Sequence, residues 1–303
     1  MPCYYPLDGY RSRTKNASGK RSIVFNPSQG FRDQPLKVPC GQCIGCRLER
    51  SRQWAIRCVH EASLHENNSF LTLTYNPQNL PEGGTLVVAD FQNFMKRLRK
   101  SVGHKIRFFH CGEYGESTRR PHYHAIIFGH DFKDKQLHKT INENNLYTSN
   151  TLNKLWPLGH ALIGDVTFES AAYVARYCTK KITGAKALEH YTDIDYSTGE
   201  IINERKPEYT TMSRRPGIGK AWLEKFRDDI FPDDFVVLAG KKLRPPNYYL
   251  NQYEVTNPEE HQKIKAKRKR AGELNKSENT WMRLRVREEI QNYKYNKLIR
   301  NLE

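Results

Sequence analysis

Two short segments constrain this chain more than anything else in it. Pro121-His122-Tyr123-His124-Ala125-Ile126-Ile127-Phe128 reads as a strand, and Tyr173-Val174-Ala175-Arg176-Tyr177-Cys178-Thr179-Lys180-Lys181, about fifty residues later, reads as a helix. Side chains alternate along a strand, so His122 and His124 share one face and Tyr123 points to the other. Two imidazoles on one sheet face are half of a divalent-metal site. Residues four apart share a helix face, so Tyr173 and Tyr177 lie one turn apart. A metal that polarises a phosphate and a phenol that attacks it are the parts needed to break a phosphodiester covalently.

The surrounding pattern predicts the scaffold. Residues 1–40 are punctuated by Pro6, Gly9, Gly19, Pro27, Gly30 and Pro35 and are expected to be irregular. Residues 44–66 carry a helical apolar period, and Phe70–Tyr75 alternates as a strand. Asp90 is expected to cap a helix through Val102. Ile106–Tyr114, His122–Phe128 and Ala161–Phe168 read as strands. Leu152–Leu155, Glu169–Ile182 and Gly219–Ile230 read as helices, and Phe235–Leu238 as a last strand. Residues 185–215 are expected to be an insertion with a hairpin tip at Ser197-Thr198-Gly199. From about residue 256 the chain becomes basic, with Lys263–Arg270 as a charge block and a polar helical stretch to follow. The expected fold is α+β, a central antiparallel sheet flanked by helices. Three regions are expected: a Cys-rich segment with its helix over 1–66, the catalytic domain over 67–255, and a basic helical tail over 256–303.

Two histidines need a third ligand. Glu113 lies near the end of the strand before His122 and can reach the same face of an antiparallel pair. Glu116, in the loop beyond Gly115, is the competitor. Two imidazoles and a carboxylate suit Mg²⁺ or Mn²⁺, and the histidines tilt the preference toward Mn²⁺. A free phenol has a pKa of about 10 and is a weak nucleophile near neutrality. Lys180, one turn beyond Tyr177, is positioned to favour its phenolate. The alternative role for either tyrosine, Tyr173 more than Tyr177, is packing in the core.

Cys40-x-x-Cys43-x-x-Cys46 offers three thiolates at close spacing. A structural zinc takes four ligands, with Cys3 the expected fourth and Cys58 and His60 as rivals. An iron–sulfur site, although nothing in the chain calls for redox chemistry, and free thiols with no metal are the alternatives. Seven cysteines, an odd number, argue against a disulfide framework. Cys111 and Cys178 are expected to be small buried residues.

The formal charge of +17 marks a polyanionic partner, because neutralised phosphates release counterions. Seventeen tyrosines and thirteen phenylalanines add stacking surface for unpaired bases. No apolar run is long enough to span a membrane, and Met1–Tyr5 lacks an export signal, so a cytoplasmic location is expected. No phosphate-binding loop of the Gly-x-x-x-x-Gly-Lys-Ser/Thr type occurs, so a fused helicase is not expected.

His122-Tyr123-His124 with Tyr173-x-x-x-Tyr177-x-x-Lys180 resembles the HUH endonucleases that start rolling-circle replication. Gly112-Glu113-Tyr114-Gly115-Glu116, Arg120-Pro121-His122-Tyr123-His124 and Pro39-Cys40-Gly41-Gln42-Cys43-Ile44-Gly45-Cys46-Arg47 are similar to the replication initiators of microviruses, in particular the gokushovirus branch. The resemblance covers roughly residues 1–250. It implies an HUH-type domain with the histidine strand central and the tyrosine helix beside it, and it too points to Glu113 as third ligand. It further implies a site-specific nickase and strand-transferase acting on single-stranded origin DNA through a 5′-phosphotyrosine and a free 3′-hydroxyl. Two tyrosines would let one hold the parental 5′ end while the other cleaves the regenerated origin. A host helicase and replication machinery, in a bacterial cytoplasm, are the implied partners. The competing readings are a non-catalytic zinc-stabilised nucleic-acid-binding protein and a single-tyrosine transposase or relaxase.

Overall fold

The computed structural model describes residues 3–16, 19, 21–115, 118–141, 144–177, 186–195 and 197–297. In chain order its first elements are strands β1 (Leu7–Ser12), β2 (Ile23–Val24) and β3 (Gly30–Val38), helix α1 (Ile44–Ala62), β4 (Asn68–Tyr75) and α2 (Val88–Val102). Next come β5 (Arg107–Tyr114), β6 (Pro121–Phe128), β7 (Gln136–Ile141), β8 (Asn144–Thr148), α3 (Asn150–Leu155), β9 (Gly159–Gly164) and α4 (Phe168–Tyr177). The remainder is α5 (Lys186–Tyr191), β10 (Thr192–Ile194), β11 (Ile201–Glu204), β12 (Tyr209–Met212), α6 (Lys220–Ile230), β13 (Val236–Leu238), β14 (Lys241–Leu243), α7 (Asn247–Thr256), α8 (Pro258–Leu274) and α9 (Trp281–Asn296).

The strongly alternating strands form the middle of a seven-stranded sheet, ordered β12-β5-β6-β4-β9-β8-β7, with every pairing antiparallel. The fold is therefore α+β with a central antiparallel sheet, as the sequence predicts. One sheet face places Leu71, Leu73, Tyr123, Ala125 and Ile127 against Phe91, Phe94 and Leu98 of α2 and Leu152 of α3. The other places Phe70, Phe109, Ile126 and Phe128 against Ala55 and Cys58 of α1 and Tyr173 and Val174 of α4. Each fully buried large aliphatic or aromatic side chain here contributes about 1.5–3 kcal/mol, so β4 and β6 are fixed from both sides. Gly103, with φ 72°, ends α2 in the left-handed conformation and donates its N–H to the Arg99 carbonyl. At Gly159 a Cβ would meet the Thr74 carbonyl oxygen at 2.2 Å, so β9 can begin alongside β4 only without a side chain.

Four expectations are corrected. Residues 1–40 are not irregular throughout: β2-β1-β3 form a three-stranded antiparallel sheet. Its strands are mostly exposed, and Pro35 sits within β3, so no apolar alternation announces them. Asp90 does not cap α2, which starts after Val87; its carboxylate instead accepts a 2.6 Å hydrogen bond from Tyr75 Oη. Residues 185–215 are not simply an insertion. The β10–β11 hairpin turns where Ser197-Thr198-Gly199 predicts, but β12 returns to pair with β5 at the sheet edge. Finally, β9 ends at Gly164, and Phe168 opens α4 rather than closing the strand.

The chain divides into two compact units, one of Met1–Arg50 with Lys265–Ile299 and one containing Ser51–Ile264. The divisions fall within α1 and within α8. No helix among the described residues is long and apolar enough to cross a membrane.

Candidate active site

Strand register assembles the first ligand group. In the β5–β6 pair Glu113 lies directly opposite His122 and Cys111 opposite His124. In the β4–β6 pair Thr72 lies opposite His124. Alternation then sends Glu113, His122, His124 and Thr72 to the same face. Oε1 of Glu113 lies 2.9 Å from Nε2 of His122 and 3.0 Å from Nε2 of His124. The three ligating atoms lie within 4.8 Å of one another. Glu113 and His124 are completely buried, and His122 is 7% exposed.

The second nitrogen of each ring is also engaged. Nδ1 of His122 is 3.2 Å from the Arg120 carbonyl oxygen, and Nδ1 of His124 is 3.1 Å from Oγ1 of Thr72. Such contacts fix the ring and aim Nε2 at the shared point. Burial works to raise the Glu113 carboxyl, but hydrogen bonds and positive charge from both histidines outweigh it and hold it down to about 2. Two imidazole nitrogens and one carboxylate converging with their outer partners in place form a donor set that suits a divalent cation. Thr72 and the main chain of Arg120 are contributors that the sequence reading missed. Thr72 is in phase with Thr74 and alternates with Leu71 and Leu73, and only the strand register turns that into a contact with His124.

The tyrosine helix covers this face. Thr167 and Ser170 exchange hydrogen bonds at the start of α4, the Thr167 N–H donating to Ser170 Oγ at 2.8 Å and the Ser170 N–H to Thr167 Oγ1 at 3.1 Å. Ser51 Oγ of α1 donates to the Ala172 carbonyl at 3.3 Å. These contacts place Tyr173, 3% exposed, edge-on to His124 with ring centroids 5.1 Å apart and planes at 88°. The Tyr173 ring also meets Phe70 at 6.3 Å. Tyr177 is the last residue of α4, one turn further on. Lys180, Cys178 and the competing ligand Glu116 lie outside the described residues.

The cysteines form a second ligand group. The antiparallel register that sets Leu7 opposite Val38 brings the segment before β1 beside the segment after β3. Cys3 thereby meets Cys40, Cys43 and Cys46, and all four sulfurs lie within 4.8 Å of one another. The rivals are elsewhere. Cys58 is buried in the core beneath the sheet, and His60 is stacked on Trp222 at 3.5 Å with Nδ1 3.0 Å from Tyr249 Oη. Main-chain N–H groups point at the sulfurs: Cys40 to Cys3 at 3.2 Å, Cys43 to Cys40 at 3.3 Å and Tyr4 to Cys43 at 3.4 Å. Partial burial opposes ionisation of Cys40, but the N–H groups of Cys43 and Gln42 prevail and lower its thiol to about 7. Cys111 is buried beside the active-site face, as expected of a small core residue.

The family model described as replication-associated protein ORF2/G2P matches residues 68–182, which contain Glu113, His122, His124, Tyr173 and Tyr177. The chain is 34% identical to replication-associated protein VP4 of Bdellovibrio phage phiMH2K over 274 residues, covering 86% of this chain and 82% of that protein. It is 34% identical to replication-associated protein ORF2 of Spiroplasma virus 4, covering 72% of this chain and 68% of that protein. It is 31% identical to replication-associated protein ORF4 of Chlamydia phage 1, covering 70% of this chain and 52% of that protein. No solved structure matches it. The chain belongs to the replication-associated proteins of small, microvirus-type phages.

Proposed function

We propose that this protein initiates phage DNA replication by nicking single-stranded origin DNA through tyrosine attack and later rejoining the strand. The observation that carries the reading is the packing of the Tyr173 ring against His124, one member of the Glu113–His122–His124 group. That contact puts a tyrosine-bearing helix on the ligand face of the sheet, with a second tyrosine one turn away.

Glu113, His122 and His124 would hold Mg²⁺ or Mn²⁺, which when bound draws negative charge from the scissile phosphate. Thr72 and the Arg120 carbonyl keep the imidazoles aimed. The phenol oxygen of Tyr173 or Tyr177 bonds to phosphorus, and its proton leaves. The P–O3′ bond breaks, and the departing 3′-oxygen takes up a proton. The products are a 5′-phosphotyrosine and a 3′-hydroxyl, and the retained phosphodiester energy allows a later 3′-hydroxyl to reseal the strand by the reverse step. Lys180 is assigned to stabilise the forming phenolate. A shift of α4 between the two tyrosines would serve two successive cleavages.

The positive charge supplies DNA affinity independent of sequence. On this reading a host helicase and the host replication machinery unwind the duplex. The site of action is then the cytoplasm of the host bacterium. The test is cleavage of the encoding phage's circular single-stranded genome with Mn²⁺. The wild-type protein should linearise it at one position, and the His122→Ala/His124→Ala protein should bind it without cutting. Equal cutting by both would remove the ligand group from the reaction.

A further inference from the structure

We infer that Cys3, Cys40, Cys43 and Cys46 hold one structural Zn²⁺ that clamps the unit formed by the two ends of the chain. Four thiolates around a tetrahedral zinc, with Zn–S near 2.3 Å, place their sulfurs about 3.8 Å apart. Here Sγ of Cys43 and Sγ of Cys3 are 4.0 Å apart, and all four sulfurs lie within 4.8 Å. That spacing has room for one ion and none for several irons with bridging sulfide, which separates the assignment from an iron–sulfur cluster. Three main-chain N–H groups already point at sulfur, the outer contacts a bound thiolate uses. Four protein ligands close the coordination shell, leaving no place for substrate.

A second, independent observation concerns the core of that unit. Among the described residues its buried apolar cluster is Tyr4, Cys43 and Leu284, with Cys3, Cys40, Ile44 and Cys46 partly buried around it. Strands β1 and β3 are largely exposed. So small a core does not offset the entropy of ordering these segments, and small units of this kind are stapled by metal or disulfide. The cysteines themselves make up most of the cluster. The ion would join the segment before β1, the loop after β3 and the first turn of α1, and Leu284 of α9 packs on the same group.

Metal analysis of the full-length protein tests this. About one zinc per chain is expected in the wild type and in the His122→Ala/His124→Ala protein, which separates this site from the proposed catalytic one. Cys40→Ser/Cys43→Ser should lose at least nine-tenths of it. If that variant fails to fold, titration of wild-type thiols with a mercurial should release the zinc in step with four modified cysteines. Substitution with Co²⁺ should give thiolate charge-transfer absorption that falls by about a quarter in Cys3→Ser, one ligand of four. Iron with sulfide, no metal at all, or zinc lost only from the histidine variant would overturn the assignment.

Discussion

The two ligand groups of this protein are built in opposite ways. Glu113, His122 and His124 stand on adjacent interior strands of a sheet packed on both faces, and around an ion these three donors would leave further coordination positions to a substrate. Cys3, Cys40, Cys43 and Cys46 come from segments flanking exposed strands, and their four thiolates would use every position of a tetrahedral ion. In the first group the scaffold positions the ligands; in the second the ion would position the scaffold. Chemistry is therefore expected at the histidines and stability at the cysteines.

This contrast can be broken at either end. The largest effect is expected at the histidines. His122→Ala or His124→Ala should lower cleavage by more than about 100-fold, beyond the usual cost of an outer-shell change, while DNA affinity is largely kept. Cleavage within tenfold of wild type, measured on a single-stranded origin fragment, would put the chemistry elsewhere. The cysteines come next. Stripping their metal should abolish hydrogen-exchange protection in β1 and β3 and leave β4 and β6 protected. Joint loss in all four strands would show that the sheet also depends on the ion.

Smaller effects sharpen the picture of the sheet site. Thr72→Val deletes the oxygen beside Nδ1 of His124 and should weaken Mn²⁺ binding by about 10–100-fold without unfolding the sheet. Unchanged affinity in a calorimetric titration would reduce Thr72 to a packing residue. Replacing Lys265, Lys267 and Lys269 of α8 with Ala should flatten the salt dependence of single-strand binding by about 0.7 for each phosphate no longer neutralised; an unchanged slope would move the DNA path away from α8. The smallest effect is a pH dependence. Glu113 is held at about 2, below its ordinary 4.5, so its stabilising contribution is complete above that ordinary value and is lost as pH falls toward 2. In metal-free buffer the melting-temperature gap between wild type and Glu113→Gln should close as pH falls below about 4.5. A gap that widens on acidification would contradict the assigned charge state.

The sheet site was largely legible because its geometry follows from alternation and one antiparallel register. His122-Tyr123-His124 fixes a face, and pairing with the preceding strand brings Glu113 opposite His122. Thr72 was not legible, since its contact depends on β4 lying on the other side of β6, a pairing between distant segments. Around the cysteines the motif Cys40-x-x-Cys43-x-x-Cys46 is local and visible, but the hairpin that delivers Cys3 is not. β1 and β3 are polar, exposed and interrupted by Pro35, so their pairing comes from main-chain hydrogen bonds that no apolar pattern encodes. β7 and β12, at the two edges of the sheet, and β8, beside β7, escaped for the same reason: strands with few fully buried side chains carry little alternation.

The proposed reaction has a tyrosine of α4 attack the phosphate held at the histidine site. Its most direct test is mass-spectrometric mapping of the covalent adduct formed with single-stranded origin DNA and Mn²⁺. DNA linked through a 5′-phosphate to Tyr173 or Tyr177 is expected in the wild type. Each single Phe variant should retain some adduct and fail in repeated cleavage and circularisation. The Tyr173→Phe/Tyr177→Phe and His122→Ala/His124→Ala proteins should bind DNA and form none. Cleavage without an adduct, or an adduct that persists in the double Phe variant, would contradict it.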